Sequence, residues 1–473
     1  MAIPQFRSGN ARVSMQAGNL AVLPPRRERL AIISTRDKLC GIAAYTTALE
    51  RQLADLFDVT VFDLDQDLLR GHHPRVRRLG DAHIKEICGA LTGFDAVNLQ
   101  LEYGTLGRST SEICRRFFWL IKAAPRLSVT FHTLKRPTAL PQGDLLKALA
   151  TFKFRTANDI LTEYRRNRDL SLGIAYRLRR VARRKPVTVI VHNRRDLSEI
   201  KNLHGLDRAF DHPLVFLSSA EAQAVKNRSS PRHFPLLAPL SKDNILIGVF
   251  GFVNNYKGFE TPIDALRYLP EPYHLLIFGG VHPNEILPQR TIHPYLAGLM
   301  QNVFVDTRSR PFSHIGKNNI YILKGTGDTL PRRGDLSGRI HFMGALDDAD
   351  FQAGMSICDA VVFPYLEVGQ SSSGPISLAL ELGCRIIASR TLAFLDFATY
   401  HPNRIEFFDI GNHLELAQHI AARPQHAQHA APLYNSETNR AVYLAANSAA
   451  AEARPRFRRP GVGAIRQARN TVA

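Results

Sequence analysis

The chain has only five cysteines, Cys40, Cys88, Cys114, Cys358 and Cys384, scattered without ligand spacing or a pairing pattern. An odd, unframed set argues for a reducing compartment and against a disulfide scaffold or structural zinc. No apolar run approaches the ~18 residues a spanning helix needs, and no signal-like stretch opens the chain, so a cytoplasmic location is expected. Trp119 is the single tryptophan. Without aromatic platforms or a recognition motif, nucleic acid is disfavoured as a partner. The 18 histidines contain no HExxH and no paired metal spacing, and no G-x-S-x-G elbow marks a serine hydrolase. Asp63–Leu64–Asp65 has a cation-binding spacing, but it ends a strand in an acidic loop of a common kind, and the metal reading is set aside. No short internal repeat is present.

What is present points to a large α/β protein. At 473 residues the chain exceeds what one core supports, so two domains are expected. Sixty-one basic against 42 acidic residues give a net charge of +19, which favours phosphate-rich surfaces. Segment 1–29 reads as a disordered basic terminus and 446–473, with RPRFRRP, as a basic flexible tail. Lys153–Lys185 holds 11 basic and 3 acidic residues, net +8, among Phe154, Ile160, Leu161, Tyr164, Leu170, Leu172, Ile174, Tyr176 and Leu178. Cations interleaved with apolar residues favour an interfacial segment on an anionic membrane over a solvated capping helix.

The apolar pattern predicts a strand at Leu30–Ser34, a helix over Ala43–Phe57 and a strand at Val59–Phe62, a βαβ opening. Further strands are expected at Ala96–Leu99, Leu127–Phe131, Thr188–Val191 and Val215–Leu217. Prolines cluster over Pro231–Ser241, which reads as an interdomain linker. A second series is expected at Ile245–Phe250, His274–Phe278, Ile340–Met343, Ala360–Phe363 and Arg385–Ala388, while Pro283–Gly338 has no clear pattern. The domains are drawn at 30–235 and 243–445.

Asp359–Ser389 carries the most information. A buried strand leads into Ser371–Gly374, Pro375 suits a first helical turn, and Gly383 suits a left-handed stop. Serines and a glycine before a helix form an anion cradle, because helix N-termini present unpaired N–H groups and a positive dipole end. The same order also closes an ordinary βαβ unit.

Six motifs in register separate these readings: CGIAAY at Cys40–Tyr45, QLEYG at Gln100–Gly104, TFHT at Thr130–Thr133, IGVFGFVNNYKG at Ile247–Gly258, HLLIFGGVHPNE at His274–Glu285, and FPY with SSSGP near Phe363–Pro375. Together they resemble the retaining, nucleotide-sugar-dependent family-4 glycosyltransferases over roughly Leu30 to Leu444. The resemblance implies the GT-B fold, two Rossmann-like domains whose parallel sheets face a central cleft. It also implies transfer of a sugar from a nucleotide diphosphate to an acceptor hydroxyl with retention, and no cofactor or obligatory metal. The acceptor expected is a lipid-linked or polysaccharide chain in bacterial glycan assembly, with the protein cytoplasmic and peripheral on the inner membrane.

The same resemblance assigns residues. Lys257 would bind the donor diphosphate, while the usual partner arginine corresponds to Phe252. The amides of Ser372, Ser373 and Gly374, with Ser371, would form the cradle. The family's two glutamates correspond to Gln370 and Leu378; Gln370 can bond sugar hydroxyls, Leu378 cannot bind a ribose, and Glu381 or Glu367 are the candidate substitutes. His132 would contact the sugar or support the reacting centre. Gly41 would allow close backbone approach, or is a plain turn glycine. Glu102 lines the cleft, or serves as a cap or ion-pair partner. The missing carboxylate and arginine keep a second function in view, a catalytically weak or silent GT-B protein acting as a scaffold in a glycan-assembly complex.

Overall fold

The computed structural model describes residues 27–36, 40–281, 292–304, 334–422 and 432–448. Most of both basic termini and of the unpatterned 283–338 stretch lies outside them. Two six-stranded parallel sheets form the frame. The first contains β1 Arg29–Ser34, β2 Asp58–Asp63, β3 Ala96–Leu101, β4 Leu127–Phe131, β5 Val187–Val191 and β6 Ala209–Asp211 in the order β2-β1-β3-β4-β5-β6. The second contains β7 Ile245–Phe250, β8 Tyr273–Phe278, β9 Ile340–Gly344, β10 Ala360–Phe363, β11 Ile386–Ser389 and β12 Ile405–Phe408 in the order β12-β11-β10-β7-β8-β9. Strands such as β3, β5 and β10 are buried throughout, as parallel strands covered by helices on both faces must be.

The helices used below are α1 Gly41–Leu53, α2 Gln142–Ala150, α3 Phe154–Arg168, α4 Ile174–Ala182, α5 Arg194–Asn202, α6 Glu260–Leu266, α7 Gly374–Glu381 and α8 Ser436–Asn447. In α1, Tyr45, Leu49 and Leu53 repeat at helical spacing and all are buried. No helix among the described residues is long and apolar enough to cross a membrane.

The two halves meet over the expected linker, which forms 3₁₀ turns at Pro231–His233 and Pro235–Leu237. Helix α8 crosses back onto the first sheet. Alternate strand residues share a face, so Asn98 with Gln100 and Ser128 with Thr130 make one buried polar face there. Helix α8 satisfies it: Tyr443 Oη lies 3.0 Å from Thr130 Oγ1, and Ser128 Oγ donates to Asn447 Oδ1 at 2.7 Å.

One strand expectation fails. Val215–Leu217 is not a strand; the sixth strand is the three-residue β6. The 215–217 run is buried for another reason. It crosses between the domains, and the N–H groups of Phe216 and Leu217 donate to the Glu381 carboxylate rather than to a ladder.

Candidate functional site

Each sheet reverses its strand order once, between β1 and β3 in the first and between β7 and β10 in the second. Crevices at the carboxyl ends of such strands are where open α/β sheets bind ligands. Gly41 follows β1 and Glu102 follows β3; Lys257 follows β7 and Ser371–Gly374 follow β10. These predicted residues therefore flank both reversal points, while His132 follows β4, the neighbour of β3.

Lys257 is placed by two glycines. Gly258 (φ +65°) sits so close to the Pro364 carbonyl that an added Cβ would lie 2.1 Å from its oxygen. Only glycine permits both that conformation and that approach. Gly251 (φ +123°) passes the lysine side chain, with its would-be Cβ 3.3 Å from Nζ. Lys257 is only 6% exposed, so it is not a solvated surface lysine. Its Nζ lies 3.7 Å from the Tyr365 ring centroid and 5.1 Å from that of Tyr256, and donates to Tyr365 Oη. Burial pushes its pKa down to about 7, because the charged form loses its hydration. Tyr365 Oη is in turn 3.2 Å from Ser373 Oγ, which links the lysine to the start of α7.

Ser373 caps α7 with extended backbone and no side-chain hydrogen bond, Pro375 follows in the first turn, and Gly383 (φ +66°) ends the helix region. The first-turn N–H groups thus face the loop without a side-chain cap. The loop is held by the first domain. Leu134 N–H donates to Ser371 Oγ at 3.2 Å, Asn193 Nδ2 donates to the Ser371 carbonyl at 2.9 Å, and the Phe216 ring lies 3.1 Å from a would-be Gly374 Cβ. Gln370 Nε2 donates to the Ser372 carbonyl. Between the domains remains a cavity of about 10 Å³ lined by His192, Asn193, Ser371, Ser372, Ser373 and Phe394. That is room for about one water.

Of the two substitute glutamates, Glu381 is buried and occupied, whereas Glu367 is exposed and keeps acceptor capacity. Glu381 accepts from Phe216 and Leu217 N–H at 2.8–3.2 Å, and burial pushes its pKa up to about 8. Glu367 accepts from Leu392 N–H at 2.7 Å and Gly369 N–H at 2.8 Å. Leu378 is buried and lines a small cavity with Ala48, Phe216 and Phe351, and with Arg51 and Asp348.

At the first sheet, QLEYG and TFHT pair across neighbouring strand ends. His132 is 2.8 Å from Gln100 Oε1 through Nε2. Because Gln100 Nε2 donates to Asn98 Oδ1, its Oε1 is the acceptor, which assigns Nε2–H to His132 and leaves Nδ1 to accept. Burial, with His192 beside it, holds the His132 pKa well below the usual value, so the ring is neutral. Glu102 accepts from Thr133 Oγ1 at 2.9 Å, and burial raises its pKa. Gly41 opens α1 and a Cβ there would meet nothing within 4 Å. Of the acidic pair, Asp63 accepts from Arg36 N–H at 2.8 Å and Asp65 caps the helix at Gln66–Leu69.

Two residues in the site had been given no role. His192 lies 3% exposed after β5, with its ring centroid 5.2 Å from that of His132. Its Nδ1–H donates to the His212 carbonyl at 3.0 Å, and its Nε2 has no partner. The signal was its strand-end position, the same as that of His132. Tyr365 belonged to the quoted FPY, but its place between Lys257 and Ser373 depends on the turn after β7.

No protein-family model matches this sequence, and no curated protein matches it. The structure is similar to a UDP-forming α,α-trehalose-phosphate synthase from Burkholderia xenovorans, with a TM-score of 0.54 and 10% identity over 89% of this chain and 98% of that one. It is also similar to sucrose-phosphate synthase from Thermosynechococcus elongatus, at 0.50 and 15% over 94% and 100%. A third is a structure named as a UDP-N-acetylglucosamine 2-epimerase from Listeria monocytogenes, at 0.50 and 14% over 89% and 95%. At such identities the likeness shows the fold, which is GT-B.

Proposed function

We propose that the chain is a retaining glycosyltransferase of the family-4 type, moving a sugar from a nucleotide diphosphate to an acceptor hydroxyl in bacterial polysaccharide or glycoconjugate assembly. The observation that carries this reading is the convergence of Lys257 and the uncapped start of α7 at the β7/β10 reversal, joined through Tyr365. A cation and a helix N-terminus together suit a diphosphate, and both act on charge that grows as it departs. The reading includes no obligatory metal, and the leaving phosphate oxygen takes the acceptor proton. His192 Nε2 and His132 Nδ1 would accept from sugar hydroxyls, with Gln370 on the other wall. Gly41 and Glu102 would face a lipid-linked or polysaccharide acceptor. The names of the structural neighbours make UDP-sugars the first donors to test.

A second reading is a silent scaffold in a glycan-assembly complex. It is favoured by the closed cleft and by Leu378 and Phe252 where a carboxylate and a cation would help. Thermal shift with a panel of nucleoside diphosphates and their sugars separates the two. The transfer reading expects a raised Tm with at least one nucleoside diphosphate, lost in Lys257→Ala. No shift with any of them favours the scaffold.

A further inference from the structure

Helices α2 and α3 form a hairpin between β4 and β5 whose turn breaks a local rule. Phe152 N–H bonds to the Leu149 carbonyl at 3.1 Å and Lys153 N–H to the Ala148 carbonyl at 2.8 Å, a Schellman closure of α2. The residue after the cap must then be left-handed, a place usually taken by glycine. Here it is Phe152, at φ +54° and 78% exposed. A bulky side chain in that conformation is strained, so the turn needs the left-handed backbone but not the phenylalanine, and the cost of keeping one here motivates a functional reading.

The surroundings are of one kind. Leu146, Leu149 and Phe154 are also exposed, and the Phe152 and Phe154 rings stand edge to face at 6.1 Å. Lys147, Lys153 and Arg155 lie exposed among them, and Asp144 is the only carboxylate between Gln142 and Asn158. Of the apolar residues in the expected interfacial stretch Lys153–Lys185, Phe154, Leu172 and Tyr176 are exposed. Leu170, Ile174 and Leu178 are buried in the core, and Arg177 donates to the Gly173 carbonyl, so one face of α4 packs on the domain.

We propose that the tip of this hairpin docks in an anionic lipid bilayer, with Phe152, Phe154, Leu146 and Leu149 at the headgroup level and Lys147, Lys153 and Arg155 on lipid phosphates. The charge complements anionic headgroups, and apolar side chains on an exposed turn ringed by cations are what an interface accommodates. The inference concerns where the protein works; it needs no donor, so it stands or falls apart from the transfer reading.

The test is flotation of the full chain on phosphatidylcholine vesicles with and without phosphatidylglycerol, at low and high salt. Wild type is expected to float on the anionic vesicles and to be released by salt. Phe152→Gly should lower binding by about tenfold, the scale of one buried phenylalanine, while leaving Tm unchanged or higher because glycine suits the turn. Lys153→Gln with Arg155→Gln should weaken binding to anionic vesicles only. Failure of wild type to float, or equal flotation of Phe152→Gly, as when the basic termini do the binding, overturns the proposal. Loss of flotation in Arg183→Gln with Arg184→Gln while Phe152→Gly still floats overturns it as well.

Discussion

Replacing Lys257 by methionine should stabilise the free protein, and by an amount that depends on pH. In the unfolded chain this lysine keeps its proton to about pH 10.5, whereas in the fold burial lowers the value to about 7. Between those limits the unfolded state binds one proton more, so the wild type gains stability as pH rises. Below about pH 7 both states are protonated and the burial penalty is fully present. From pH 9 down to pH 7 the penalty grows by about 1.4 kcal/mol per pH unit, or ~3 kcal/mol in all. Methionine is apolar and of similar length; the contact with the Tyr365 ring is made only by the protonated lysine, so its loss offsets part of the methionine variant's gain at low pH. Urea unfolding of both proteins at pH 6, 7, 8 and 9 gives the difference directly. Groups common to both proteins, Glu381 included, cancel in it. The advantage of the methionine variant should be largest at pH 6 and 7 and shrink by ~3 kcal/mol towards pH 9. A difference that is flat across the series refutes the reasoning, because it means that the lysine keeps its proton inside the fold.

Four further outcomes are expected. Glu381 holds its proton in the fold to about pH 8 and in the unfolded chain only to about 4.5, so it costs stability increasingly as pH rises through that window; Glu381→Gln should flatten this part of the pH–stability curve, as read by Tm. Leu378→Glu should lose roughly 1–3 kcal/mol in urea unfolding, since it sets a carboxylate beside Ala48, Phe216 and Phe351 with Arg51 and Asp348 lining the same cavity; unchanged stability with tighter nucleotide binding would contradict the packing. Gly258→Ala should lower stability by more than about 2 kcal/mol, because its Cβ meets the Pro364 oxygen and φ is positive. Gly41→Ala should leave Tm unchanged, since its Cβ meets nothing, and should lower turnover only if an acceptor or donor phosphate approaches that backbone.

The strands were legible because a parallel strand buried on both faces is a short apolar run, and such runs mark β1, β4, β7 and β10 directly. The same signal misleads at Val215–Leu217, since a segment trapped between two domains is equally apolar; its true hydrogen-bond partner, Glu381, is 164 residues away for Leu217. Strand β12 went unread because its residues are mostly half-buried. The basic segment shows only partly helical spacing for a local reason. A π-helical turn at Asp169–Gly173 interrupts the repeat, so residues of α3 and α4 do not share one stripe. At the site, motif order located Lys257 and the serine loop, both placed by local turns at strand ends. The closure of the loop onto Leu134, Asn193 and Phe216 depends on how the domains meet, which no local pattern records.

The central claim is that Lys257 and the start of α7 hold a departing nucleoside diphosphate. Turnover of a panel of nucleotide sugars, with diphosphate release as the readout, tests it most directly when wild type and Lys257→Ala are run side by side. The account predicts release from at least one nucleotide sugar, and a loss of kcat/KM in the variant worth roughly 2–4 kcal/mol, about 30- to 1,000-fold, with the fold retained. Release by wild type with an unchanged kcat/KM in Lys257→Ala would contradict it, as would no release from any member of the panel.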